Sequence, residues 1–272
     1  MSVTSRGAEA DGDGRYWDGV AASWAANESL WRRHSDWVNT RLLARWLPEN
    51  GCARLLKTDL FDEAVSDGMH EFLGSRCAEA TFIDASEQVV ALAQARHPEI
   101  NGRCADVRAL PCESGSLDTV VSISTLDHFR DKASISTALA EIHRVLKPGG
   151  SLILTLDNLA NPAVLARSLL PYRLLKRARL VPYFVGATLT PAALRRVVSR
   201  SGFRVAETDM LLHCPRVAVV PLARWLARHG SAAAQDRLLK ALVSFEILAR
   251  WPTRGITGHF TAMRAVKGDT HG

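Results

Sequence analysis

Two aspartates stand where a carboxylate could bind a small polar molecule. Asp84 ends the apolar segment Ala80–Asp84, and Asp106 follows a second short segment, Asn101–Cys104. A carboxylate at the first position can accept hydrogen bonds from both hydroxyl groups of a ribose. A carboxylate at the second can accept one from the exocyclic amine of an adenine, with Val107 beside the ring. Taken singly, Asp84 also fits a helix cap and Asp106 a turn.

The segments around these aspartates alternate between strand and helix patterns. The predicted strands are Ala53–Lys57, Ala80–Asp84, Asn101–Cys104, Leu117–Ser122 and Ser151–Leu156. The helical segments between and beside them are Phe61–Leu73, Ser86–Arg96 and Lys132–Leu146, and a later helix is predicted at Pro221–Arg250. Strands separated by helices of this length indicate βαβ units and a parallel sheet. Ligands of such sheets bind beyond the carboxyl ends of the strands, where both aspartates stand.

Several short motifs appear in an order that resembles the class I S-adenosylmethionine-dependent methyltransferases. They are Phe82–Ser86, Asp106 with Leu110 and Pro111, Ser116–Ser122, Leu126–Phe129, Leu146–Gly150 and, later, Thr190–Phe203. The likeness is to the branch with ubiquinone- and menaquinone-type enzymes and many natural-product enzymes, and it runs from about Leu55 to Leu156. It implies a Rossmann-like α/β fold: a seven-stranded, mostly parallel sheet flanked by helices, with a helical cap.

The same resemblance implies S-adenosylmethionine as the cofactor. The family acid that matches Asp84 binds the ribose of this cofactor, and the acid that matches Asp106 binds its adenine. Ala85, Val107 and Ser124 are further cofactor-binding candidates on the same motifs.

The loop after the first strand departs from the family pattern. The family has an acid there, followed by a glycine-rich turn that lets the backbone approach the cofactor. In this chain Lys57 replaces the acid, and the glycine positions hold Asp59, Phe61 and Glu63. We expect Lys57 or Thr58 to bind the carboxylate of the cofactor, and Asp59, Asp62 or Glu63 to bind its ammonium. The alternative is that the loop no longer fits the methionine end, and that the fold binds another ligand or binds the cofactor without using its methyl.

Methyl transfer is an in-line displacement whose rate depends on alignment and on the exclusion of water. Where the acceptor must lose a proton, His128 is the candidate base, and Asp127 could orient it or act alone. The other interpretation of His128 is a structural or cofactor-side role. The resemblance and the position of each residue also give a set of substrate candidates, namely Tyr16, Trp17, Asp157, Asn158, Tyr183 and Arg216.

The chain of 272 residues is expected to hold one domain, residues 16–272, after a disordered tail at 1–15. Within it we expect N-terminal helices at 16–50, a cofactor-binding core at 51–157, an inserted element at 158–190, and C-terminal strands and helices at 191–272. The insert mixes leucines with arginines. It fits a lid over a hydrophobic acceptor, an amphipathic patch on an anionic membrane, or a packed helix pair with a solvated basic face.

The composition argues against several classes of protein. The five cysteines form no CxxC pair, so we expect a reduced, cytoplasmic protein with no disulfide framework and no metal site. No apolar run is long enough to span a bilayer. The net charge of +6 is spread along the chain, and Ser124–Asp127 replaces the NPPY-like motif of the RNA-modifying relatives, so no nucleic-acid partner is expected.

The function predicted from the sequence is transfer of a methyl group from S-adenosylmethionine to an oxygen, nitrogen or carbon of a small organic acceptor, in specialised metabolism. Two alternatives stay open. One is an enzyme of the same fold that does not methylate, such as a cyclase or isomerase. The other is a non-catalytic binding protein whose loop around Asp59 has drifted. The oligomeric state and the acceptor are left open.

Overall fold

The computed structural model describes residues 29–177 and 186–268. They form a seven-stranded sheet in the order β3-β2-β1-β4-β5-β7-β6, in which β7 runs antiparallel to both neighbours and the other pairs are parallel. The strands are β1 (Cys52–Lys57), β2 (Cys77–Asp84), β3 (Asn101–Cys104), β4 (Leu117–Ile123), β5 (Leu146–Asp157), β6 (Phe203–Leu211) and β7 (Phe260–Lys267). The predicted Rossmann-like, mostly parallel sheet is confirmed.

Helices cover both faces of the sheet. They are α1 (Ser29–Trp46), α2 (Phe61–Val65), α3 (His70–Arg76), α4 (Glu87–Arg96), α5 (Lys132–Val145), α6 (Pro162–Leu169), α7 (Tyr172–Arg177), α8 (Pro191–Arg200), α9 (Arg216–His229), α10 (Ala232–Phe245) and α11 (Arg254–Thr257), with short 3-10 turns at Leu126–His128 and Glu246–Arg250. None of the helices in these two stretches is long and apolar enough to cross a membrane.

The apolar side chains form one layer on each face of the sheet. On one face, α1, α4, α9 and α10 bury residues such as Leu42, Val89 and Leu242. On the other, α5 and α8 bury residues such as Leu139 and Val198. Cover on both faces explains why the central strands β4 and β5 are buried at consecutive positions instead of at alternate ones.

Two predicted helices are each interrupted, and the predictions of single helices were wrong. Phe61–Leu73 divides into α2 and α3 because Gly68 has a positive φ of 61°, and a Cβ there would lie 2.7 Å from the Glu63 side chain. Pro221–Arg250 divides at Gly230, whose amide donates to Leu226 O and closes α9. Ser231 then caps α10.

A buried lysine fixes the loop after β1. The Nζ of Lys57 is fully buried and donates to Glu63 Oε2 at 2.9 Å, to Asp59 Oδ1 at 2.9 Å and to the Asp59 carbonyl at 2.8 Å. Burial alone would lower the pKa of Lys57, but the two carboxylates hold that pKa above its ordinary value. The other Glu63 oxygen accepts from the Met69 amide at 3.0 Å, so the same ion cluster also fixes the turn into α3.

A disulfide joins Cys52 at the start of β1 to Cys77 at the start of β2. The prediction that this chain has no disulfide was therefore wrong. The two residues are direct register partners on neighbouring parallel strands, with 4.6 Å between their Cα atoms. The spacing of the two cysteines in the sequence does not predict this disulfide, because the register of the two parallel strands brings the cysteines together. The disulfide encloses the whole rebuilt loop with α2 and α3.

We expect loss of the disulfide to destabilise the protein. The loop spans 25 residues, and the chain-entropy relation gives about 3.5 kcal/mol for closing it. Urea unfolding of the parent, with and without reductant, measures the change. A Cys112→Ala variant should keep the reductant effect, since Cys112 is a free thiol, whereas Cys52→Ala/Cys77→Ala should abolish it. Equal free energies of unfolding with and without reductant would contradict the assignment.

Replacement of the buried lysine should be costly. Lys57→Met leaves Asp59 and Glu63 without their cation, and removal of one member of a buried ion pair typically costs about 3–5 kcal/mol of unfolding free energy. Lys240→Met is the matched control, because that lysine is 78% exposed and pairs only with Asp236 one turn away.

The double variant Lys57→Met/Glu63→Gln should recover part of this loss at neutral pH, because it removes the excess negative charge. Denaturant unfolding of the variants measures both effects. A Lys57→Met protein as stable as the Lys240→Met control would show that the cluster does not support the loop.

Candidate active site

A cleft lies at the carboxyl ends of β1, β2, β4 and β5, where the sequence places its candidate residues. It encloses about 1210 Å³, including the part open to solvent. Its wall is formed by Trp31, Arg32, Ser35, Asn39, Thr58, Asp59, Phe61, Asp62, Asp84, Ala85, Val89, Ala105, Asp106, Val107, Ile123, Ser124, Thr125, His128, Phe129, Thr155, Leu212, Arg216 and Phe260. The cleft contains charges of both signs beside aromatic rings.

Asp84 is the best-positioned acid of the cleft. Its Oδ1 accepts from the Ser86 amide at 2.9 Å, and its Oδ2 accepts from the Leu60 amide at 3.0 Å. Each oxygen keeps a lone pair for a further donor. Burial raises the pKa of Asp84 to about 6, and the two amide hydrogen bonds limit the rise. The side chain is therefore held in one orientation and is ionised at neutral pH.

Asp106 lines the cleft but already has a partner. Arg108 donates to both of its carboxylate oxygens, from Nε at 3.1 and 3.0 Å and from Nη2 at 2.6 Å. Burial opposes ionisation of Asp106, but the hydrogen bonds from Arg108 hold its pKa below the ordinary value. The Arg108 guanidinium also lies over the Phe129 ring, 4.9 Å from its centre. Sequence reasoning missed this arginine, although it stands only two residues away.

The loop after β1 divides into a buried half and a half that faces the cleft. Lys57 does not line the cleft, and all three of its donated hydrogen bonds stay within the loop, so the expectation that it binds a ligand carboxylate was wrong. Glu63 is fully buried against Lys57, so the expectation that it binds the ammonium of the cofactor is wrong as well. Thr58, Asp59 and Asp62 do line the cleft. Burial raises the pKa of Asp59, with Lys57 acting in the opposite direction, and its Oδ2 is buried without a hydrogen-bond partner.

Arg32 places a positive charge in the wall of the cleft, which Lys57 does not reach. It projects from α1 into the cleft wall, forms an ion pair with Asp62, and lies over the Phe61 ring at 5.0 Å. It stands about 30 residues before the loop it contacts, so nothing in the local sequence pattern of the loop points to it.

His128 lines the cleft, whereas Asp127 lies behind it. The distance from His128 Nε2 to Asp127 Oδ1 is 4.0 Å, which is too long for a hydrogen bond. Asp127 is 1% exposed, and its Oδ2 accepts from Ser124 Oγ at 3.0 Å. Ser124 has a positive φ of 50°, so the Asp127 carboxylate supports an unusual backbone turn at the cleft. We therefore assign Asp127 that structural role, whereas His128 lines the cleft.

The substrate candidates after β5 and β6 have different surroundings. Asp157 is buried and binds Arg167 of α6 at 2.7 Å, so it anchors the inserted element instead of lining the cleft. Asn158 is fully buried, and its amide donates to the carbonyls of Gly255 and Gly258. Neither residue lines the cleft, because Asp157 pairs with Arg167 and lies 3.3 Å from His259, and the Asn158 amide is bonded within the fold.

Arg216, by contrast, lines the cleft. Its Nη1 lies 3.0 Å from His259 Nε2, and its guanidinium lies near the rings of Trp31 and Phe260. Three further candidates, Tyr16, Trp17 and Tyr183, and the tail at 1–15 lie outside the described residues.

Comparison with known proteins gives a consistent result. A family model described as a methyltransferase domain matches residues 65–154. A probable S-adenosylmethionine-dependent methyltransferase of Mycolicibacterium smegmatis is 25% identical over 80% of this chain and 74% of its own length. A ubiquinone biosynthesis O-methyltransferase of Pseudomonas paraeruginosa is 30% identical over 52% of this chain and 60% of its own length.

Among solved structures, the [4+2]-cyclase SpnF superimposes with a TM-score of 0.54 at 18% identity, covering 85% of this chain and 80% of its own. At this identity the likeness concerns the fold alone. The sheet order, the acids that follow β2 and β3, and the matching family model agree with one another. Residues 65–154 thus match a methyltransferase domain, and the chain is similar to S-adenosylmethionine-dependent methyltransferases over most of its length.

Proposed function

We propose that this protein transfers the methyl group of S-adenosylmethionine to an oxygen, nitrogen or carbon atom of a small organic acceptor. The observation that carries the proposal is the orientation of Asp84 in the cleft wall. Two backbone amides hold its carboxylate, and both oxygens keep a lone pair for the adjacent hydroxyls of a ribose.

The adenine end of the cofactor is assigned to the neighbouring wall. Val107 is buried in this wall and offers an apolar surface for the ring. Asp106 is assigned to the exocyclic amine, which must share or displace part of the pairing with Arg108, because Arg108 donates twice to each carboxylate oxygen. Ala85 and Ser124 complete this side of the cleft.

The methionine end is assigned to the rebuilt loop. Asp59 Oδ2 has no hydrogen-bond partner among residues 29–177 and 186–268, which is costly for a buried carboxylate oxygen, and an ammonium group would supply the missing donor. Asp62 offers a second acceptor, and Arg32 beside it offers a cation for the carboxylate of the ligand. Thr58 lines the same part of the cleft. The loop thus matches a zwitterion without the glycines of the family.

The bound cofactor supplies an electrophilic methyl on a sulfonium, and the protein supplies alignment and protection from water. His128 lies at the cleft surface and can accept a proton from an acceptor hydroxyl or amine. Trp31, Leu212 and Phe260 form an apolar wall near Arg216. This arrangement favours an acceptor with an apolar body and an anionic group.

Titration calorimetry with S-adenosylmethionine, S-adenosylhomocysteine and adenosine tests the assignment. We expect both full cofactors to bind at least about tenfold tighter than adenosine, because charge-assisted hydrogen bonds to the amino-acid end contribute about 1.5–3 kcal/mol each. Asp59→Asn should weaken the two full cofactors and leave adenosine unchanged. Asp84→Asn should weaken all three ligands, and the exposed Asp236→Asn serves as the matched control.

Equal binding of adenosine and the full cofactors would contradict the role of the loop. Binding without turnover across a panel of acceptors would favour the second candidate, an enzyme of this fold that does not methylate. The observation behind that candidate is the replacement of the family's loop by a charged one.

Nucleoside binding should depend on pH through Asp84. Its pKa is about 6 in the folded protein, and protonation removes the charge that accepts both ribose hydroxyls. Affinity should therefore be full above pH 7 and fall as the pH drops through about 6, by up to about tenfold per unit.

Methylthioadenosine is the appropriate probe for this titration, because it lacks the amino-acid end and does not report on Asp59. Calorimetry between pH 5 and 8 measures the profile, and Asp84→Asn should flatten it. A parent profile that is already flat would argue against ribose binding by Asp84.

A further inference from the structure

Two histidines and a glutamate converge on the outer side of the rebuilt loop, away from the cleft. His70 begins α3, and His97 and Glu99 follow the end of α4. Each residue offers one ligand atom, and the three atoms lie within 4.8 Å of one another. The two imidazole rings are 4.1 Å apart between centres. None of the three lines the cleft, so the methyl-transfer site does not account for them.

Backbone carbonyls fix which ring nitrogens carry protons. His70 Nδ1 lies 2.8 Å from the Asp67 carbonyl, and His97 Nε2 lies 3.0 Å from the Ser66 carbonyl. A carbonyl only accepts hydrogen bonds, so both of these nitrogens must be donors. In neutral rings this leaves His70 Nε2 and His97 Nδ1 with their lone pairs. Histidines that bind metals commonly have the same arrangement, with the second nitrogen donating to a backbone carbonyl.

The His70 lone pair faces another acceptor. Its Nε2 is buried and makes no aligned hydrogen bond, yet it lies 2.8 Å from Glu99 Oε1. Two acceptors at this distance require either a proton on His70 Nε2 or a metal cation between them. A proton there would pair only His70 with Glu99. A single metal ion satisfies both lone pairs and the carboxylate together.

We propose that His70, His97 and Glu99 bind one divalent transition-metal ion. Two imidazole nitrogens and one carboxylate oxygen match Zn²⁺, which takes such ligands at about 2.0–2.2 Å in tetrahedral geometry. The fourth position is left to water. The imidazoles argue against Mg²⁺ and Ca²⁺, which prefer oxygen ligands.

The role of this ion is structural. It would join the turn between α2 and α3 to the end of α4, and that turn already carries the Met69 amide bound to Glu63. The metal would thus clamp the far side of the loop whose near side faces the cleft. The sequence analysis expected no metal site, because the three ligands stand 27 and 2 residues apart and match no zinc motif.

Titration of tag-free, chelator-treated protein with Zn²⁺ tests the proposal by calorimetry, and Co²⁺ replaces Zn²⁺ for absorption spectra. We expect one ion per chain and the visible bands of tetrahedral Co²⁺. His97→Gln and Glu99→Gln should each weaken Zn²⁺ binding by about tenfold or more. Removal of a metal ligand is expected to reduce the affinity by more than removal of a group that only orients a ligand. Glu99 is 62% exposed, so its variant keeps the fold.

His229→Gln and Glu71→Gln are the matched controls. Like His97, His229 lies at a helix end with a ring nitrogen near a backbone carbonyl, and Glu71 is an exposed neighbour of His70. Both should bind Zn²⁺ like the parent. Zn²⁺ should also raise the melting temperature of the parent but not of Glu99→Gln. Absence of binding to the parent, or equal binding by the His97 and Glu99 variants, would overturn the proposal.

Discussion

The structure around the cleft depends on the need to neutralise one buried ammonium group. Lys57 ends a central strand of the sheet, where its charge has no access to water. The carboxylates of Asp59 and Glu63 must therefore turn back toward it, and this brings the chain into α2 directly after the strand. Gly68 then provides the only backbone that leaves room for the Glu63 side chain at that turn. The structurally required glycine of this region is thus Gly68, which follows α2, whereas the family has its glycines directly after the first strand.

The sequence predicted what local pattern and motif order determine. The alternation of strands and helices gave the parallel core, and Asp84 and Asp106 reached the cleft because each follows a strand of that core. Contacts between distant segments could not be predicted in this way. Arg32 meets Asp62 only because α1 packs beside the loop, and Cys52 meets Cys77 only through the strand register. Asn158 was misjudged for the same reason, since the carbonyls that bind it come from the segment before β7.

Most charges of the cleft are paired within the protein. Arg108 neutralises Asp106, and Arg32 neutralises Asp62, so a charged ligand must exchange with these internal partners or join them. Such an exchange limits the gain in affinity, because part of each new interaction replaces an old one. Asp84 and Asp59 differ, because they have acceptor positions that no side-chain cation covers. Discrimination among ligands should therefore depend mainly on these two aspartates.

The Lys57 cluster also constrains how this loop can have arisen. A lysine acquired alone would be a buried charge without a partner, and the two acids acquired alone would repel each other at the end of the strand. Intermediates between a glycine-rich loop and this one are thus less stable than either end state. Substitutions at positions 57 and 63 are therefore expected to be energetically coupled, and the two residues are expected to vary together.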